Sequence, residues 1–414
     1  MGQQSYVNPA FVRKGNLTPQ KVKIDLPLLI SVFALLLTGI LFVYSSSWNY
    51  VLRENAAASY ILERQLVFIV IGLIAAVVAF RINYHFYIKW ILYPMIITLA
   101  MLVAVFIIGT QAVGVPSRAL FNNSVQPSEL AKLVIILYLA VWMNSHREQL
   151  NTFSLGIFPL LAIVGVTAGL IFLQPDISAT LTVVFLGGAL FYLSGSNFRH
   201  VLLALAVVLM FGTLIVLISS TGQERISDYL NGLMSLQDAS DHVRRSLEAV
   251  VRGGIFGVGI GKGSTKYLGL PVPWTDSIFA VITEETGMLG GIFVIGLFLV
   301  FAWRGIKIAR NAPDLLGRLI AGGITIWIMF EALINIGVMV NVFPFAGNAL
   351  PLVSYGGSSM VTTLTGIGIL MNVGMHSMPG KKQAEEFGAH AVVDLRRRNR
   401  RRSVSRPDSS AGTR

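Results

Sequence analysis

The sequence predicts an all-α polytopic membrane protein with ten transmembrane helices. Of its 414 residues, 54% are apolar and only 13% are charged, whereas soluble domains average about 25% charged. Ten mostly apolar runs approach or exceed the roughly 20 residues a span requires. They fall at 27–47, 65–81, 87–109, 128–144, 152–173, 177–194, 200–220, 276–302, 319–342 and 354–376. The least clear is 128–144, which is short and carries Glu129 and Lys132 in its first turn. An even count puts both termini on one side. With the termini cytoplasmic, the inner segments hold 22 of the 32 Lys and Arg residues, as the positive-inside rule requires. The chain therefore divides into a cytoplasmic tail (1–26), a membrane domain (27–376) and a basic cytoplasmic tail (377–414). The N-terminal tail has no apolar signal-peptide core, so no cleavage is expected. The net charge of +12 is concentrated in the tails. The run "RRRNRRR" (396–402) then reads as contact with anionic lipid rather than nucleic acid. There are no cysteines, which excludes disulfides, thiolate metal sites and cysteine nucleophiles.

Most outer connections are short. The exception is 221–275, between spans seven and eight; its apolar patches and glycines predict that it folds back onto the outer face. Four unusual motifs share that outer depth: "QPSELAK" (126–132), "QPDISAT" (174–180), "PVPWTD" (271–276) and "FPFAGNALPLVSYGGSS" (343–359). Irregular backbone at this depth is tolerated only when buried in protein or lining a wet cavity, and intramembrane ionisable groups are functional candidates. An outward-facing polar cavity is therefore expected. Each motif also has a structural reading. Asp276 and Asp176 read equally well as helix caps. Glu129 and Lys132, three apart, read as a self-neutralising pair. "SYGGSS" (354–359) reads as a helix-entry turn or as an anion-binding nest. Glu284 and Glu285 lie within span eight. On a continuous helix from Asp276, Glu284 falls about 80° around and Glu285 on the opposite face. Glu284 is therefore expected to line the lower cavity wall, and Glu285 to be structural.

The glycine-rich stretch "GGIFGVGIGKGSTK" (253–266) fails the nucleotide-loop patterns: Phe256 and Gly263 stand where Walker A needs Gly and Ser/Thr, and Lys262 where a dinucleotide fingerprint needs Gly. It is expected to be a flexible flap whose Lys262 and Lys266 reach phosphate. No His pair has metal-ligand spacing, and a Ser-His-Asp set finds no His near the acidic motifs except His242. An outer-face cavity meets no ATP, so a synthetic enzyme there needs a donor that arrives activated, such as a lipid-linked pyrophosphate sugar. A lone carboxylate would act as base on an acceptor hydroxyl. Lys, Arg or a divalent cation, Mg or Mn, would stabilise the departing diphosphate.

At these motifs the sequence resembles the SEDS (shape, elongation, division, sporulation) family of FtsW, RodA and SpoVE. The resemblance runs from "VYSSS" (43–47) and "RQL" (64–66) through "QPSELAK", "QPD", "GGIFGVGIGKG" and "TDSIFAVITEETGMLGG" to "NIGV" (335–338) and "LPLVSYGGSS". It implies a ten-helix, inverting peptidoglycan glycosyltransferase that polymerises lipid II at the outer face of the bacterial cytoplasmic membrane. It also implies a class B penicillin-binding protein as partner. Asp276 corresponds to the family's essential aspartate. Glu129, Lys132, Asp176, Arg118 and the serines Ser354, Ser358 and Ser359 are implied substrate contacts; Gln126 and Trp274 belong to the cavity or its frame. The tails and "GQERISDYL" (222–230) look more like the division branch, which implies other divisome proteins and the septum. Val272, Trp274 and Ser277 depart from the usual "LPEAHTDFIFA", His242 and Arg245 replace two glutamines, and Ala119 replaces a tryptophan. These departures keep open the reading of an inactive scaffold; a separate alternative, a lipid II flippase or other transporter, would need polar cytoplasmic halves, and those halves are nearly apolar.

Overall fold

The computed structural model describes residues 24–54, 60–109 and 125–376. Arg118 and the basic C-terminal tail, with its expected lipid contact, lie outside the described residues. The helices are α1 (Leu26–Glu54), α2 (Tyr60–Arg81), α3 (Tyr87–Trp90), α4 (Leu92–Gly109), α5 (Pro127–Ser145), α6 (Phe158–Phe172), α7 (Ile177–Leu193), α8 (Phe198–Ile218), α9 (Ser220–Met234), α10 (Asp241–Gly253), α11 (Ile278–Arg310), α12 (Leu315–Met339) and α13 (Gly357–His376). Among the described residues, seven helices are long and apolar enough to cross a membrane; an eighth span is counted if the pair Tyr84–Trp90 and Leu92–Ile107, bent by 67°, forms one. That bend interrupts what the sequence predicts as a continuous run at 87–109.

The helix starts follow the local chemistry. Pro127 opens α5, where its missing N–H costs nothing. Asp314 caps α12 by accepting the Gly317 N–H at 2.7 Å. Ser240 caps α10 through the Val243 N–H. The long connection 221–275 packs back against the bundle, with α10 lying on α11 and α12, and holds all of α10 and nearly all of α9. At the centre of the bundle, α12 packs against α5, α7, α11 and α13, while α13 pairs closely with α2. Lipid gives helices no hydrophobic drive toward each other, so close backbone approach matters. At the α13–α2 contact, a Cβ on Gly368 would come within 2.2 Å of the Ala76 carbonyl oxygen.

The 33-residue α11 is not continuous: Gly287 has φ 73° and ψ −172° and breaks it near its outer end. A break strands backbone groups on both sides, and the glycine-rich stretch 253–266 satisfies them. Val258 and Gly259 donate to the carbonyls of Glu284 and Glu285, both at 3.0 Å, while Met288 donates to Gly254 at 2.9 Å and Leu289 to Ile255 at 3.3 Å. Such backbone-to-backbone packing demands glycine. A Cβ on Gly257 would sit 2.3 Å from the Glu285 carbonyl oxygen, and one on Gly287 2.2 Å from that of Ile255. The stretch is therefore a strap bonded into the break, not the expected flap.

The strap also decides the two glutamates. The Glu284 carboxylate accepts the N–H groups of Ser264 and Thr265 at 2.9 and 3.0 Å and the Thr265 hydroxyl at 2.8 Å. Glu285 accepts from Gly261 N–H at 2.8 Å, Ser45 Oγ at 2.7 Å and Lys266 Nζ at 2.7 Å. Lys266 also donates to the Ser45 carbonyl at 2.9 Å and is only 1% exposed. Three expectations are corrected here. Glu284 faces the strap and not the cavity, because Asp276 precedes the helix and gives no valid origin for a helical angle. Lys266 is a buried counter-ion rather than a phosphate contact. Lys262 is exposed and takes no part in the cavity lining.

Candidate active site

Three of the four irregular outer motifs close around one cavity of about 250 Å³, together with the threonine and aspartate that end the fourth. Its lining includes Gln126, Glu129 and Lys132 from the start of α5, Asp176 from the start of α7, Asp276 ahead of α11, and Gly347, Asn348, Ser358 and Ser359 around the start of α13. Arg64 on α2 and Glu331 on α12 complete the charged lining.

The turn carrying Asp276 is clamped from two directions. The Trp274 carbonyl accepts the Tyr355 N–H at 2.8 Å, and the Thr275 carbonyl accepts the Ser354 hydroxyl at 2.6 Å. Ser354 also accepts the Leu350 N–H at 2.8 Å and is buried. It is thus a fastener between two loops rather than a substrate contact, whereas Ser358 and Ser359 do line the cavity. Asn335, on α12, donates from Nδ2 to the carbonyls of both Asp276 at 2.9 Å and Asn348 at 2.7 Å. Gly347 lies against the aspartate: a Cβ there would stand 3.2 Å from Oδ2. The half-buried Trp274 packs on the core and is not part of the cavity wall. Asp276 is not the helix cap; that position is Ser277, whose side chain makes no capping bond.

Asp176 does both jobs the sequence left open. It caps α7 by accepting the Ala179 N–H at 3.2 Å, and it accepts Gln126 Nε2 and Ser128 Oγ, each at 3.0 Å, at the cavity wall. Gln126 in turn accepts no such role by accident: its N–H donates to Ser358 Oγ at 2.8 Å, joining α5 to α13. Lys132 pairs with Glu129 at 2.8 Å, three residues back on its own helix, and also with Glu331 on α12.

Sequence reasoning missed Glu331 and Asn335. Both are polar residues in the otherwise apolar second half of α12 (326–339), four apart and so on one face, and intramembrane polarity was the signal that could have found them. Asn335→Ala removes the hydrogen bond that holds the Asp276 carbonyl and the one that ties it to Asn348, leaving the Trp274 and Thr275 clamps in place. A displacement of about 1 Å from the reacting atoms costs on the order of 10²-fold in rate, so a comparable loss of turnover with little change in substrate binding is expected, read from kcat and KM.

Two departures from the family pattern compensate each other. Ser277 Oγ donates to the Pro271 carbonyl at 2.8 Å and lies 2.5 Å from His242 Nε2. The single hydroxyl proton is committed to Pro271, so His242 is the donor and carries its proton on Nε2. Its ring packs on Phe345, with centroids 4.4 Å apart. Burial pushes the imidazole down to about 4, against a weaker upward pull from Asp241. Neutral His242 thus stabilises the packed loop fully above about pH 6.5, and that contribution is lost progressively as pH falls toward 4. After correction for the intrinsic pH dependence of exchange, lower amide protection factors in α10 at pH 5 than at pH 7 are expected in the wild type, and equal protection factors at the two pH values in His242→Gln.

Among the described residues, no three His, Asp or Glu side chains converge on a point that could hold a metal ion. The described residues therefore do not build a resident cage for the expected Mg or Mn. Mg²⁺ is ordinarily held by one or two carboxylates together with substrate phosphates.

Comparison with known proteins agrees with this architecture. The family model described as cell cycle protein, covering FtsW, RodA and SpoVE, matches residues 26–378. Stage V sporulation protein E of Bacillus subtilis is 35% identical over 364 residues, covering 87% of this chain and all of that protein. A probable peptidoglycan glycosyltransferase FtsW of Trichlorobacter lovleyi is 35% identical over 353 residues, covering 84% of this chain and 92% of its own length. Among solved structures, a chain of a peptidoglycan synthase complex that coordinates polymerization and crosslinking superposes with a TM-score of 0.67 at 26% identity, covering 85% of this chain and 98% of that one. The rod shape determining protein RodA of Thermus thermophilus gives 0.63 at 25% identity, covering 87% and 100%. This helical membrane bundle, with its acidic motifs gathered at one cavity, thus belongs to the FtsW/RodA/SpoVE family.

Proposed function

We propose that this chain is a peptidoglycan glycosyltransferase that polymerises lipid II at the outer face of the cytoplasmic membrane, in septal wall synthesis during division. One observation carries the reading: Asp276 is fixed by its backbone at the wall of a cavity whose other groups suit a diphosphate and sugar hydroxyls. In this reading α7 and α8 also cross the membrane, giving ten spans with both termini cytoplasmic. Asp276 takes the proton from the acceptor sugar's 4-hydroxyl. That oxygen attacks the donor's anomeric carbon from the face opposite the diphosphate, the carbon–oxygen bond to phosphate breaks, and the lipid diphosphate leaves with the electron pair. Configuration inverts. Lys132 and Arg64 supply positive charge for the leaving group, with Ser358 and Ser359 as hydrogen-bond donors. A class B penicillin-binding protein, with other divisome proteins, is the proposed partner.

The transport reading needs polar groups reaching the cytoplasmic side of the cavity, and the lining given above gathers instead at the outer helix ends. The purified chain with a class B partner and labelled lipid II is expected to yield glycan polymer. Movement of lipid II across vesicles without polymer would support transport, and neither product nor movement would support a scaffold.

A further inference from the structure

The cavity's ionisable lining has four acids, Glu129, Asp176, Asp276 and Glu331, against two bases, Arg64 and Lys132. A diphosphate entering such a site meets an excess of negative charge. The floor cation, Lys132, is held by two carboxylates at once, Glu129 on its own helix and Glu331 across on α12. One ammonium is thus shared between two carboxyl groups, and a diphosphate reaching for it must displace both. Glu331 is only 2% exposed, and its second oxygen is buried without a hydrogen-bond partner. That is a costly arrangement which tighter ion pairing alone does not explain, because Glu129 would suffice to neutralise Lys132.

We propose that Glu129 and Glu331 compete with the donor's diphosphate for Lys132, so that the cavity holds the leaving group weakly enough to release it after each transfer. This rests on the polymerase reading for its substrate. Glu331 is then a positioning residue: it acts through Lys132 and touches no reacting atom. Ground-state affinity for the diphosphate does not by itself raise turnover, and a site that bound the product tightly would stall on it.

The test is direct binding of a polyprenyl diphosphate to the detergent-purified full chain, which needs no turnover. Glu331→Gln and Glu129→Gln each keep a hydrogen-bonding side chain but remove one competitor. Each is expected to bind the diphosphate about tenfold tighter, equivalent to about 1.4 kcal/mol. With lipid II, KM and kcat should fall together, since release slows. In Glu331→Gln/Lys132→Gln, where the cation is removed as well, the tightening should vanish. Unchanged or weaker binding in both single variants, with both folded by thermal melting, would overturn the proposal. So would tightening that survives in the double variant, because charge removal alone would then explain it. Tighter binding in a protein that makes no polymer would leave the competition for Lys132 standing and remove the polymerase reading; polymer without tightening would overturn the competition and leave the polymerase reading standing.

Discussion

Lys266→Met should destabilise the protein by about 3–5 kcal/mol, the range for removing one partner of a buried ion pair. The Glu285 carboxylate has no exposure of its own and would be left without its cation, although Ser45 and the Gly261 N–H still donate to it. The damage should spread beyond the pair. Lys266 also bonds the Ser45 carbonyl of α1 and the Gly261 carbonyl of the strap, so one ammonium joins the first helix, the strap and the outer segment of α11. The strap in turn closes the backbone groups opened at Gly287. Thermal unfolding in detergent should show the loss, and amide exchange should rise first in residues 253–266. Lys266→Met combined with Glu285→Leu removes both charges and should recover a large part of the stability. If the single variant melted like the wild type, the strap would not depend on this pair. If the double variant were no better than the single one, shape rather than charge would govern the site.

What the sequence revealed tracks where the chemistry sits along the chain. Seven of the spans and the cavity were legible because apolar length and clustered Pro, Gly and acid are local signals. Asp276, Asp176, Glu129 and Lys132 were found for the same reason: each sits in a short motif at the outer end of a span. Glu331 and Asn335 were missed because each is a single polar residue in an apolar run, and only the packing of α12 against α5 and the Asp276 turn gives them partners. Lys266 was misassigned because its partner comes from another element: a lysine in a glycine-rich loop looks mobile until the loop is seen bonded into a helix break. The break itself was hidden, since Gly287 is one glycine among several, and only its positive φ marks it. Helical phase could not place Glu284 and Glu285, because the angle was counted from a residue that lies in a turn. The pairing of Ser277 with His242 was likewise out of reach, though both had been noted as departures from the family pattern.

Asp276→Asn should reduce polymerisation by about 10²–10⁴-fold, the usual contribution of a positioned general base. The amide matches the carboxylate in size and leaves the carbonyl that Asn335 holds untouched, so the fold and the cavity should persist. Asparagine cannot accept the acceptor's proton, and raising the pH should not restore the rate. Substrate binding should survive, because the proposed diphosphate contacts, Lys132, Arg64, Ser358 and Ser359, are unchanged. The measurement is the rate of glycan polymer formation from labelled lipid II by Asp276→Asn and wild-type protein, each with the class B partner, alongside lipid II binding to both. The account predicts near-wild-type binding with almost no polymer. Polymer formed at the wild-type rate by Asp276→Asn would contradict it and move the catalytic base elsewhere in the cavity.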